Sequence, residues 1–117
     1  MASLGNANSN KAAHASITIE ATGTISTSID CRGRQAVAFI VPAMTGTSLA
    51  VHASVDDTNF YAVSYNGVAV TVTASATATF QAIPSSVLAG AEFIRLVSNG
   101  AEAARRSITV IGLQLVD

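Results

Sequence analysis

Two histidines, one cysteine and seven carboxylates are the whole stock from which 117 residues could build acid–base or nucleophilic chemistry. A serine nucleophile needs a histidine base that a carboxylate orients. His14 lies in an Asn/Ser/Ala-rich stretch near the start, and His52 falls on the polar side of an alternating segment. No Gly-x-Ser-x-Gly elbow is present to present a serine, so His52 reads as a surface strand residue. Cys31 stands beside Arg32, and a neighbouring cation favours thiolate; at a strand end the thiol reads as inert. Asp56, Asp57 and Asn59 bring hard oxygen ligands close together, as calcium sites do. The Asp-x-Asp-x-Asp-Gly spacing and a downstream Glu are missing, so this segment reads as a loop closing a hairpin. Glycoside hydrolysis needs two acids flanking a cleft, and acids scattered over loops supply no such pair. Neither phosphate-loop pattern, Gly-x-x-x-x-Gly-Lys or Gly-x-Gly-x-x-Gly, occurs. A lone cysteine excludes a disulfide framework and a cysteine-based zinc site. The residues therefore name no catalytic group, no metal ligand and no cofactor site, and the chain is expected not to be an enzyme.

The basic residues offer one more possibility. Arg32, Arg34, Arg105 and Arg106 fall in two loops; if the loops met, four guanidinium groups would grip an acidic or phosphate-bearing partner. Solvated loop charges are the simpler reading. Net charge is −1, with no basic excess to neutralise a nucleic-acid backbone. Charged residues make up 11% of the chain, against about 25% in an average soluble domain. With 50% hydrophobic residues the chain is too apolar to stay disordered. The longest apolar run, residues 36–41, is far too short to span a bilayer. The start of the chain shows no basic region followed by an apolar one, so synthesis and use without export are expected. Free Cys31 fits a reducing compartment.

The elements that would position these residues are strands. Short β-branched runs separated by turn residues recur from residue 16 onward, the pattern of an antiparallel sandwich. Residues 1–15 are expected as a flexible arm and 16–117 as one β-sandwich domain. The expected strands cover 16–20, 24–30, 35–41, 47–54, 59–64, 68–73, 77–83, 92–98 and 106–115. About eight or nine strands suit a jelly-roll-like sandwich. Gly33 suits a turn with positive φ, Pro42 ends the run before it, and Asn66-Gly67 fits a type I′ hairpin turn. Residues 85–89 have room for one helical turn. Period-2 alternation assigns Leu49, Val51, Ala53 and Val55 to a core face, with Ala50, His52 and Ser54 opposite. It likewise groups Val68, Val70 and Val72 against Thr71 and Thr73, and Ala78, Phe80 and Ala82 against Thr77, Thr79 and Gln81. Residues 36–41 and 93–97 are apolar on both faces apart from Arg95. Such strands need cover on both sides, from folded-over loops or from a neighbouring subunit.

Several segments together carry a resemblance. They are Val37-Ala38-Phe39-Ile40-Val41-Pro42-Ala43-Met44, then Ser54-Val55-Asp56-Asp57-Thr58-Asn59-Phe60, then Ala89-Gly90-Ala91-Glu92-Phe93-Ile94-Arg95-Leu96, and the closing Arg106-Ser107-Ile108-Thr109-Val110. From about Ile29 to Leu115 the chain resembles small β-sandwich accessory proteins of tailed-phage virions. It departs from them at Asp57, where Gly often follows the first Asp. The resemblance implies a non-enzymatic virion structural protein, commonly an oligomeric decoration (cement) protein bound to the capsid, assembled in the host cytoplasm. Its implied partners are further copies of itself, with a trimer favoured, and the major capsid protein or other virion proteins, without nucleic acid or membrane. A head–tail connector or tail component with the same fold is the alternative. A carbohydrate-binding β-sandwich using Tyr65 or Asp57 is a further one.

Overall fold

Valine, isoleucine, threonine and alanine dominate the described part of the chain, and β-branched side chains suit the pleated surface of a strand better than a helix. A computed structural model describes residues 2–4, 13–84 and 86–114. Among them twelve strands form and no helix does. They are β1 (Ala2–Ser3), β2 (Ala13–Ile19), β3 (Ile29–Asp30), β4 (Arg34–Val41), β5 (Ser48–Ser54) and β6 (Tyr61–Ala62). After these come β7 (Ser64–Tyr65), β8 (Val68–Ala69), β9 (Thr71–Thr73), β10 (Thr79–Ala82), β11 (Phe93–Ser98) and β12 (Arg106–Gln114). A six-stranded sheet runs β1-β3-β11-β5-β6, with β9 also paired to β5. A four-stranded sheet runs β10-β4-β12-β2, and β7 with β8 makes a separate hairpin. All pairs are antiparallel except β1 with β3. The protein is thus an all-β sandwich, as the strand spacing leads one to expect.

The core fills the space between the two sheets. Ile94 and Leu96 from β11 and Leu49 and Val51 from β5 face Phe39 and Val41 from β4, Ile108 and Val110 from β12, and Ile17 and Ile19 from β2. Each strand contributes residues two apart, as the pleat requires. Fully burying a side chain such as Phe39 stabilises by about 1.5–3 kcal/mol. A bulge at Val37 shifts the β4–β12 register, so that Ala38 faces Ile111 while Ala36 faces Gly112. Gly112 leaves room there for Leu4, whose side-chain end would have to move aside if a Cβ were present.

The structure departs from the pattern reading in several places. Both described ends of the expected arm are in strands. Ala2–Ser3 lies parallel to β3, and Leu4 is fully buried, its N–H donating to the Asp30 carbonyl at 3.0 Å. At the other end β2 begins at Ala13 rather than residue 16, because β12 extends far enough to pair with it. Residues 5–12 of that segment, and Leu115 of the last expected strand, lie outside the described residues. The strand expected over 24–30 is reduced to β3 and a bridge between Ile25 and Val97. Here the Ser26 hydroxyl takes the Leu96 N–H, while Thr27 N–H donates to Thr18 of the opposite sheet. The segment therefore crosses between sheets instead of continuing in one. Residues 59–73 break into four short strands around a projecting hairpin. The 86–91 segment makes successive turns rather than a helix.

The largest reversal is in β10. Thr79 and Gln81 pair with the inward residues Val41 and Phe39, so Phe80 points outward beside Ile40. Gln81 donates to the Thr79 hydroxyl at 2.9 Å, which satisfies polar groups facing inward. Val55 and Val68 are likewise exposed instead of lying on a core face.

Candidate interaction surface

The residues that suggested chemistry are placed apart and engaged in closing the fold. His52 is half-buried on the outer face of the six-stranded sheet, directly across from Arg95. Burial, then the Arg95 charge, pushes its pKa below the ordinary imidazole value. Its Nδ1 and the Nε of Arg95 have no hydrogen-bond partner among the described residues. The Arg95 guanidinium instead stacks over Phe60, 4.3 Å from the ring centroid. Cys31 is buried and its thiol is pushed up to about 12 by burial, reinforced by the charge of Asp30. That is the reverse of an activated thiolate. Among the described residues, no group of three or more His, Cys, Asp and Glu could hold a metal ion.

The acidic loop is a hydrogen-bonded turn. The Asp56 carboxylate accepts the N–H groups of Asn59 and Thr58, at 2.8 and 2.9 Å, and the hydroxyl of Ser54 at 2.9 Å. These bonds, the Asn59 amide first, hold its carboxyl far below the usual carboxylate range. Asp57 has φ 60°, the left-handed region where glycine is at ease, and accepts the Ser28 hydroxyl at 2.6 Å.

The four-arginine patch is not formed. Arg34 opens β4 opposite Gln114, at one end of β12, and Arg106 is at the other end. Eight residues at ~3.4 Å each separate the two ends by roughly 27 Å. Carboxylates also pair with three of the arginines: Asp30 with Arg32 at 2.7 Å, Glu20 of the β2–β3 connection with Arg105 at 3.5 Å, and Glu102 with Arg106 at 3.0 Å.

Glu102 carries a role that its place in a loop conceals. Its carboxylate is fully buried and accepts four hydrogen bonds. The donors are Thr45 N–H at 2.8 Å, Gly46 N–H at 2.9 Å, the Ser98 hydroxyl at 3.0 Å and Arg106 Nε at 3.0 Å. Burial alone would raise its pKa, but the Thr45 and Gly46 amides, then Arg106 and Ser98, outweigh it and lower the value. With its oxygens so engaged, the group acts as a clamp between the 45–47 loop and the β11–β12 connection.

What remains is a surface. On the outer face of the four-stranded sheet, one row across the strands reads Phe80, Ile40, Thr109 and Ser16. The next reads Ala82, Ala38, Ile111 and His14, and Leu113 lies beside Gln35 beyond them. Phe80, Ile40 and Leu113 are 64%, 42% and 46% exposed. No Asp, Glu, Lys or Arg stands in these rows. A shallow depression of about 350 Å³ lies on this face, lined by Ala13, His14, Ile40, Thr109 and Ile111. Exposed apolar side chains gathered on one uncharged face are the kind of surface on which interactions are sought.

A second uncharged feature is the hairpin of β7 and β8. It leaves the sheet between Val63 and Val70, whose backbones close on each other and on Val51: Val70 N–H donates to the Val63 carbonyl at 2.9 Å, and Val63 N–H to the Val51 carbonyl at 2.9 Å. Asn66 and Gly67 form its turn with φ of 52° and 78°, the left-handed pair that a type I′ turn requires. Tyr65 and Val68 flank the turn, with Val68 68% exposed. Between Asp57 and Glu92 the sequence has no charged residue at all, so hairpin and β10 share one uncharged stretch. That gap is the signal in the sequence for these uncharged features. Compared with known proteins, the chain matches no family model, no curated protein and no solved structure.

Proposed function

We propose that this chain is a non-enzymatic structural protein of a phage virion, bound as an oligomer to the capsid surface as a decoration (cement) protein. The observation that carries the reading is the charge-free outer face of the four-stranded sheet, with Phe80, Ile40 and Leu113 open to solvent. Small and β-branched side chains lose little rotamer entropy when such a face is covered, and a flat sheet surface suits packing against another protein. Support also comes from Asp57, which stands where virion accessory proteins of this kind often have Gly and takes the positive φ that Gly favours.

A glycan-binding reading draws on exposed Tyr61 and Tyr65. The groove that Tyr61 helps to line is otherwise made of Ala53, Val63, Val87, Leu88, Ala89 and other apolar residues, with hydroxyls from Tyr61, Ser54 and Ser64 alone. Ser54 already bonds Asp56. A sugar needs several placed polar groups, which favours the assembly reading over this one.

Quantitative mass spectrometry of purified particles from the source tests the proposal. Hundreds of copies per particle support a shell decoration. About five to a dozen, the stoichiometry of a ring, move the chain to a connector or tail. Absence from the particles overturns the virion reading.

A further inference from the structure

We infer that Asn66 is a site of spontaneous chemical modification: its side-chain amide is lost through a succinimide formed with Gly67, while the same dipeptide at Asn99-Gly100 is held intact by the fold.

The reaction is intramolecular. The Gly67 backbone nitrogen attacks the side-chain carbonyl carbon of Asn66. A bond forms between that nitrogen and that carbon, and the bond from the carbon to Nδ2 breaks. Ammonia leaves, carrying the hydrogen that the Gly67 nitrogen gives up. Water then opens the imide ring, adding its hydroxyl to one of the two ring carbonyl carbons and its hydrogen to the ring nitrogen. Opening at the side-chain carbonyl leaves aspartate. Opening at the backbone carbonyl leaves isoaspartate, with the side-chain methylene inserted into the main chain. Water is the sole co-reactant. Groups joined in one chain react fast once their geometry lets them meet, and a following glycine, with no Cβ, hinders the approach least.

The chain has two Asn-Gly pairs, and Asn66 and Asn99 are both exposed. Their hydrogen bonds separate them. At Asn99 the amide is tied down: Oδ1 accepts the Thr47 N–H at 2.9 Å and the Ser48 N–H at 3.3 Å, and Nδ2 donates to the Thr47 hydroxyl at 2.8 Å. The Asn99 N–H donates to the Ser48 carbonyl at 3.0 Å. The attacking group, Gly100 N–H, itself donates to the Ser98 hydroxyl at 3.4 Å. Turning the amide away from the start of β5 toward Gly100 breaks its three side-chain bonds together.

At Asn66 neither the side-chain amide nor the Gly67 N–H has a hydrogen-bond partner among the described residues. A Cβ added to Gly67 would meet nothing within 4 Å. The flanks of the hairpin rest against their own chain, where Tyr65, Val68 and Ala69 share a groove with Ile83, Pro84 and Val87. The two turn residues are outside that groove. Their φ of 52° and 78° belong to the turn, so the backbone must rotate before the ring closes. Only two residue pairs hold the turn, Ser64 with Ala69 and Tyr65 with Val68. A short exposed hairpin opens locally at little cost, and the closure of Val63 on Val70 keeps the sheet paired while it does. The product brings a charge into residues 58–91, which have none. Isoaspartate also lengthens the main chain in a turn built for two residues, so β7 and β8 lose their register.

Peptide mapping by mass spectrometry tests this on the full chain, aged at mildly alkaline pH in water enriched in heavy oxygen. The heavy oxygen marks each amide converted during the incubation. Position 66 is expected to gain label at least about tenfold faster than position 99, the effect of one or two further hydrogen bonds to break. In guanidinium chloride strong enough to unfold the chain, that difference is expected to disappear, because the clamp on Asn99 is gone. The labelled product at position 66 is expected to contain both aspartate and isoaspartate. Asn66→Gln, whose side chain would need a larger ring, is expected to stay unlabelled there. Equal labelling of the two positions in the folded protein, a tenfold difference that persists in denaturant, or aspartate without isoaspartate at position 66 overturns the inference.

Discussion

Glu102→Ala is the substitution whose cost can be worked most directly from the geometry. It removes the acceptor of the Gly46 N–H, which is buried, and of the Thr45 N–H, which is partly so. A buried amide left without its partner costs about 1–3 kcal/mol. Arg106, with 22% of its side chain exposed, loses its ion-pair partner but can turn toward water. Together these give about 4 kcal/mol, within the range for removing one member of a buried pair. Against a total stability of about 5–15 kcal/mol, that is a large share. The effect also depends on pH. The hydrogen bonds to Glu102 hold its folded-state pKa below the ordinary glutamate value of 4.5. Its stabilisation is therefore complete above about 4.5 and is lost as the pH falls through the lowered folded value. Urea unfolding of wild type and variant, at neutral pH and at a series of acidic ones, reads both quantities through the midpoint and slope. The gap between the two proteins is expected to be widest near neutrality and to narrow in acid. A gap that is constant with pH, or a neutral-pH loss below about 1 kcal/mol, would refute the clamp.

Two further outcomes are expected. Leu4→Ala should cost about 2–5 kcal/mol in the same urea assay, as a large-to-small change in a core; a loss below about 1 kcal/mol would mean that the segment before residue 5 does not close the sandwich. Cys31, buried and with its thiol raised to about 12, should resist iodoacetamide near neutral pH in the folded protein and react once urea unfolds it. Fast labelling without denaturant would contradict its burial.

The sequence was most legible where two apolar faces met. The strands expected over 35–41, 47–54, 92–98 and 106–115 match β4, β5, β11 and the described part of β12 to within a residue or so at each end. Each carries a run of inward residues whose period is unambiguous. Asn66-Gly67 was legible because its turn is specified by its own backbone. Phe80 was not, because alternation shows which residues of a strand share a side but not which of the two sides faces the core. In β10 the apolar side faces out and Thr79 with Gln81 faces in, so the alternation was read with inverted sense. Leu4 and Glu102 were illegible for another reason. Their partners, Gly112 and the loop at Thr45 and Gly46, are brought to them by pairings far apart in the chain. The arginine loops show the same dependence: only the register of β4 against β12 reveals that they lie at opposite ends.

The closure of Val63 on Val70 also separates two kinds of inheritance in this chain. Because the hydrogen bonds at its base hold the flanking strand in register, residues 64–69 can lengthen, shorten or change composition without moving β9 or anything that follows. Loop length carries only a small entropic cost, and exposed tips tolerate insertion. The packing of the sandwich thus sets little constraint on this tip, and a foreign peptide grafted between Asn66 and Gly67 is expected to be displayed without disturbing the core.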